Sequence, residues 1–202
     1  MTFFDDLPEP PQRPRQPQPL RPGWSGPPSD ELPGVVHIGE FVHTSPQMVM
    51  ALKLVEVYST GCALDLVWSV RRGDESDREW RDVMDRSFNH PRSSLDTGTG
   101  LQLGVAFPDG RKAVAAIHGP AMYEGTEDVT GPVLTTLGGG GGSSTDEIVQ
   151  STAHYWLWPL PLDGDTQVVA KWDELGMPES SLTLSGEQLS DALGKIRKYW
   201  TE

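Results

Sequence analysis

The sequence predicts a mainly β protein: an antiparallel β-sandwich, immunoglobulin-like in shape, with one inserted helix and one C-terminal helix. Three observations predict it. First, residues 48–58 and 61–72 alternate apolar and polar side chains on either side of Ser59-Thr60-Gly61. The even positions read Met48, Met50, Leu52, Leu54, then Cys62, Leu64, Leu66, Trp68, Val70. Side chains alternate across a strand, so this period of two presents one apolar face to a core. Second, short β-like runs recur with turn residues between them and without a βαβ rhythm, the pattern of a sandwich. Third, helical spacing occurs only twice, each time behind a capping box. About eight strands and two helices are expected.

Taken in order, Val35 to Val42 reads as a first strand, ended by Ser45-Pro46. The long hairpin follows. Ser76-Asp77-Arg78-Glu79 then lets serine and glutamate satisfy each other's free amides, and Trp80, Val83, Met84 and Phe88 follow at helical spacing until Pro91. Leu101, Leu103, Val105 and Phe107 alternate into a Pro108-Asp109-Gly110 turn, with Arg111 to Ile117 returning. Residues 118–131 read as loop and Val133 to Leu137 as a short strand. Gly138 to Glu147, with five consecutive glycines and no apolar anchor, reads as a flexible hairpin loop. Ile148 to Trp158 is a long strand apolar on both faces, Trp156 and Trp158 on one and Tyr155 and Leu157 on the other, which places it centrally. Thr166 to Trp172 and Ser181 to Leu184 complete the strands. A helix capped by Ser185 to Gln188 carries the stripe Leu189, Leu193, Ile196 and Trp200, with Lys195, Arg197 and Lys198 favourably placed at its C-terminal end.

Residues 1–33 read as a disordered proline-rich tail and 34–202 as a single sandwich domain with its flexible loop at 138–147. Ten of the 18 prolines precede residue 34. Proline lacks the amide donor and restricts its neighbour, so this stretch samples extended polyproline II rather than helix or sheet. Trp24 either packs back on the domain or belongs to a docking tail. In the docking reading Pro11, Pro14, Pro17 and Trp24 are the partner-binding residues, fitting an aromatic-lined groove on another protein.

The chain carries 16 Lys and Arg against 29 Asp and Glu, a net charge of −13. Nucleic acid would require clustered cations to neutralise phosphates, and an anionic membrane surface the same, so neither is an expected partner. Cys62 is the single cysteine, which forbids an intramolecular disulfide and fits a reducing compartment. No apolar run reaches the roughly 18 residues of a membrane span. The expected setting is cytoplasmic.

Chemistry is harder to find. The glycine run lacks the Lys-Ser/Thr that a phosphate loop needs, and Ser143-Ser144-Thr145-Asp146-Glu147 would repel phosphate. Asp163, Asp165 and Asp173, with His154, are the weak candidates for a metal or ligand site in loops at one end of the sandwich, although Asp-Gly is ordinary turn chemistry. His37 and His43 lie about 20 Å apart along a strand and cannot chelate one ion. Glu56 falls on the even, apolar face of the first hairpin strand and Asp65 on the opposite face of its partner. Both read as lying near exposed strand ends. No catalytic residue and no cofactor is assigned. The expected function is non-enzymatic protein binding by a sandwich adaptor, the alternative being a ligand- or metal-binding module or enzyme with a site in the end loops. A tryptophan platform for sugar is a third possibility that fits a cytosolic chain poorly.

The segment Leu32 to Arg72, with Ser45-Pro46-Gln47-Met48 leading into the hairpin, resembles a family of uncharacterised actinobacterial proteins. Gly131-Pro132-Val133-Leu134 with the glycine run, and Leu157-Trp158-Pro159-Leu160-Pro161, extend the likeness over most of residues 24–200. No activity is attached to that family, so no functional residue carries over. The resemblance implies a bacterial, cytosolic origin.

Overall fold

The structure is a computed structural model, and it describes residues 22–88, 100–115, 129–138 and 140–200. Among the described residues twelve strands and two α-helices follow in chain order: β1 Glu31–Leu32, β2 Gly34–Thr44, β3 Met48–Val57, β4 Cys62–Arg71, α1 Asp77–Phe88, β5 Gln102–Ala106, β6 Lys112–Val114, β7 Val133–Leu137, β8 Gly142–Ser144, β9 Ile148–Trp158, β10 Thr166–Trp172, β11 Met177–Leu184, α2 Gly186–Leu193 and β12 Arg197–Lys198. One sheet runs β2-β3-β4-β9-β7, with β8 also on β9; a second runs β11-β10-β5-β6; β1 and β12 form a two-stranded ribbon. All pairings are antiparallel. The mainly β, antiparallel class with two helices is therefore the one the alternation predicts.

The large sheets face each other across one core. Met50, Leu52, Val55, Leu64, Leu66 and Trp68 from the first meet Leu103, Val105, Val168, Ala170 and Trp172 from the second. Trp68 and Trp172 touch edge to face across the gap, with ring centroids 5.6 Å apart. At the edges β11 lies against β2 and β6 against β7. Central β9 is apolar on both faces, as expected: Tyr155 and Leu157 enter the core while Trp156 packs on the other side.

The first capping box forms in full, and of the second the serine half forms. Ser76 N–H and Oγ–H donate to Glu79 Oε2 at 2.8 and 2.7 Å. Ser185 Oγ accepts from the Gln188 amide. Helix α1 buries Trp80, whose indole N–H donates to the Thr145 carbonyl at 3.2 Å.

Four expectations need correction. The alternation in β3 does not continue past Leu52. The register passes from Leu52 opposite Leu66 to Leu54 opposite Asp65, so a bulge at Lys53 adds one residue. A bulge exchanges the faces beyond it. Val55 and Val57 enter the core, while Leu54 and Glu56 turn outward. The expected flexible loop at 138–147 contains β8, and β7 and β8 both pair with β9. The glycines allow the close approach, because a methyl on Gly140 or Gly142 would press on the Thr152 or Gln150 carbonyl. The C-terminal helix ends at Leu193, and the chain from Gly194 turns into β12 rather than continuing to Trp200. The domain also begins before residue 34: Trp24 is buried at 6 % exposure, and β1 pairs with β12.

Candidate functional site

The exposed side of the six-stranded sheet gathers the polar and aromatic residues of most interest. Pairing places Leu54, Asp65, His154 and Leu137 in one row across β3, β4, β9 and β7. The adjacent row reads Glu56, Ala63, Trp156 and Thr135. The bulge that turns Glu56 outward thus brings it to the same side as Asp65.

Asp65 lies at mid-strand rather than at an exposed end, and is only 8 % exposed. Its Oδ2 receives the Lys53 ammonium at 3.1 Å, and its Oδ1 faces His154 Nδ1 at 3.8 Å. Among the described residues Oδ1 has no hydrogen-bond donor. Burying a carboxylate without a counter-charge is costly, and the Lys53 ammonium at Oδ2 supplies one. The trio can bind or orient a hydrogen-bonding group laid on the sheet. Lys53 escaped the sequence reading because the bulge that aims it is invisible to a period-of-two argument.

Beside this trio stands an aromatic cluster of Tyr58, Ala63 and Trp156, flanked by Leu137 and Trp158. Tyr58 and Trp156 meet edge to face at 5.7 Å between centroids. Burial, and then the neighbouring Glu56 carboxylate that accepts the Tyr58 hydroxyl at 3.2 Å, raise the phenol above its ordinary value. The segment Pro22–Gly26 lies over the cluster. The Trp156 indole N–H donates to the Gly23 carbonyl at 2.9 Å, and Gly23 sits against Trp158 and Thr60. Of the expected tail anchors, Trp24 is buried on the domain. Pro11, Pro14 and Pro17 lie outside the described residues.

Glu31 clasps the two ends of the domain. It is 4 % exposed. Its carboxylate accepts the Ser59 amide at 2.9 Å, the Ser59 hydroxyl at 2.7 Å and the Lys198 ammonium at 3.0 Å. Burial pushes the Glu31 carboxyl upward, but these three donors outweigh it and hold the group below the ordinary 4.5. A carboxyl with a depressed folded value contributes stability above the unfolded value and loses it as pH falls through the folded one. Urea midpoints measured between about pH 3 and 7 are therefore expected to fall on the acid side of 4.5. Glu31→Gln should flatten that limb and cost about 2 kcal/mol at neutral pH, the scale of a hydrogen bond to a charged group.

The weak metal candidates are not brought together. Asp163 and Asp165 precede β10 and Asp173 follows it, so a strand of about 20 Å separates them, rather than one end of the sandwich collecting them. Asp165 Oδ1 accepts the Gly186 amide at 3.2 Å, and Asp173 pairs with Lys171 at 2.8 Å. Among the described residues no group of three His, Cys, Asp or Glu side chains is placed to hold a metal ion. His154 does share a face with Trp156 and Trp158, and its neighbour is Asp65. Cys62 is buried, and that burial pushes its thiol up to about 12, which makes it unreactive.

Several large apolar side chains are exposed. Phe41 is 63 % and Trp200 80 % exposed, with Val35, Leu32 and Tyr199 also open. Val35 and Phe41 stand opposite Glu56 and Ala51, and so point to the outer side of β2. Tyr199 is held beside β1 by its amide, which donates to the Asp30 carbonyl at 2.9 Å.

Fold and site together define an antiparallel two-sheet β protein whose larger sheet carries a polar trio and an aromatic cluster on its outer side. No family model matches the chain, and no curated protein or solved structure matches it either. Among the described residues no helix is long and apolar enough to cross a membrane.

Proposed function

We propose that this protein acts by binding another protein, as a cytoplasmic bacterial adaptor, through the apolar residues along β2 and the chain's C-terminal end. The observation that carries this reading is the exposure of Phe41 on the outward side of a strand, with Val35, Leu32, Tyr199 and Trp200 also exposed. Aromatic and aliphatic residues left open in this way are those that anchor interfaces when a partner desolvates them. The net charge of −13 favours a partner with a basic rim, because complementary potentials steer the encounter. An unreactive, buried Cys62 is compatible with a reducing compartment.

The test is affinity capture from a bacterial lysate with three baits: the full chain, its Phe41→Asp variant, and a chain lacking residues 1–21. The expected result is a partner held by the full chain and the truncation, weakened by added salt, and lost with Phe41→Asp. A partner lost only by the truncation would move the binding element to the proline-rich segment and reject the β2 surface.

A further inference from the structure

We infer that the outer side of the four-stranded sheet binds a small aromatic carboxylate, its ring over Gly104 and its charge on Lys112. The inference goes beyond the protein-binding reading and uses a different surface from the β2 residues. Leu103 and Val105 of β5 and Val168 and Ala170 of β10 enter the core, so Gly104, Val169 and Lys171 stand on the outside. Pairing sets Val169, Gly104 and Val114 side by side across β10, β5 and β6. The next row holds Gln167, Ala106 and Lys112. Gly104 is thus a floor without a side chain between two valine walls about 10 Å apart, two strand spacings. Its register is unbroken on both sides, so no bulge calls for a glycine there. An added methyl would approach the Ala113 carbonyl to 3.3 Å and Val114 Cγ2 to 3.9 Å, and would occupy the floor. A glycine inside a regular strand leaves room for a ligand to come close to the backbone. The result is an open groove of about 270 Å³, with Gln102, Lys171 and Glu179 at the end away from Lys112.

The chemistry of the occupant follows from shape and charge. The recess is shallow and apolar along both walls, which suits the flat face of a ring laid on the sheet. Lys112 and Val114 share a side of β6 two residues apart, roughly 7 Å along the strand. The flexible lysine stem spans that distance, so its ammonium reaches an anionic group carried by a ring over Gly104. Lys171, at the opposite end, already pairs with Asp173 at 2.8 Å and has Glu179 beside it. Lys112 has no ion pair among the described residues, so it is the cation left for a ligand. On a chain of net charge −13, an unneutralised lysine beside an apolar groove is a local exception, complementary to an anion.

The experiment titrates the full-length protein with benzoate, benzamide and acetate, and follows the backbone amide signals by NMR. Benzoate is expected to shift Gly104, Val114 and Val169 saturably, with a Kd on the order of 1 mM. Benzamide keeps the ring without the charge and should bind about fivefold more weakly, the upper end for an exposed ion pair. Acetate keeps the charge without the ring and should leave these signals unmoved at the same concentrations. Lys112→Gln should weaken benzoate about fivefold and leave benzamide unchanged. Gly104→Val fills the floor and should abolish both. Lys112 is exposed, so Lys112→Gln carries the test alone if Gly104→Val does not fold. Benzoate shifts that do not saturate, that lie elsewhere on the protein, or that persist undiminished in Lys112→Gln overturn the inference. Acetate that moves these signals as strongly as benzoate rejects the ring recess, and the inference with it.

Discussion

Trp68→Ala is expected to cost about 3–5 kcal/mol, the usual range for removing a fully buried tryptophan. Trp68 is fully buried and meets Trp172 edge to face between the sheets, so truncation opens a cavity that neither sheet can close by local movement. Against a total stability of about 5–15 kcal/mol, this is enough to unfold a substantial fraction of the population. Urea denaturation of Trp68→Ala, of Trp172→Ala and of the double variant would measure the pair. A coupling of about 0.5–1.5 kcal/mol is expected for an edge-to-face contact beyond the area it buries. A cost for Trp68→Ala below about 1 kcal/mol would show that the sheets do not pack face to face around these rings.

The second large effect is steric and falls on the backbone. A methyl group on Gly34 would overlap the Ala192 carbonyl, at the point where β2 passes α2. The obstruction is main chain in the last turn of a helix, so it cannot rotate away as a side chain would. Gly34→Ala is expected to lower stability by about 3 kcal/mol, the upper end of overpacking costs. Gly138→Ala is the control, since nothing lies within 4 Å of its added methyl. It should be neutral, or stabilising by up to about 1 kcal/mol through the unfolded chain. Equal melting temperatures for the two variants would show that β2 and α2 are not in contact.

The fold class was readable because the signals that specify it are local. Strand alternation, turn residues and capping boxes depend on neighbours a few positions apart, and the long hairpin, β5, β9, β10, α1 and the start of α2 all formed where those signals stand. The misreadings come from interactions between residues far apart in sequence. Gly142–Ser144 has no apolar alternation to betray a strand, and it is one only because β9 lies beside it. Leu193, Ile196 and Trp200 keep helical spacing, but pairing of Arg197 with Leu32 and the hold of Glu31 and Asp30 on Lys198 draw the chain after Gly194 into β12.

The candidate site divides the same way. Sequence alone determined that Asp65, His154, Trp156 and Glu56 were worth attention, and that Trp156 and His154 share a face, because parity within one unbroken strand is a local property. Only the tertiary structure could put Glu56 beside Asp65, through a one-residue bulge that exchanges the faces of β3. Only it could bring Lys53 to the Asp65 carboxylate, or lay Pro22–Gly26 across tryptophans more than a hundred residues later in the chain. Register between strands and the closure of distant segments are decided by which arrangement buries the most apolar surface with its polar groups satisfied, a property of the assembled sheets that no window of sequence contains.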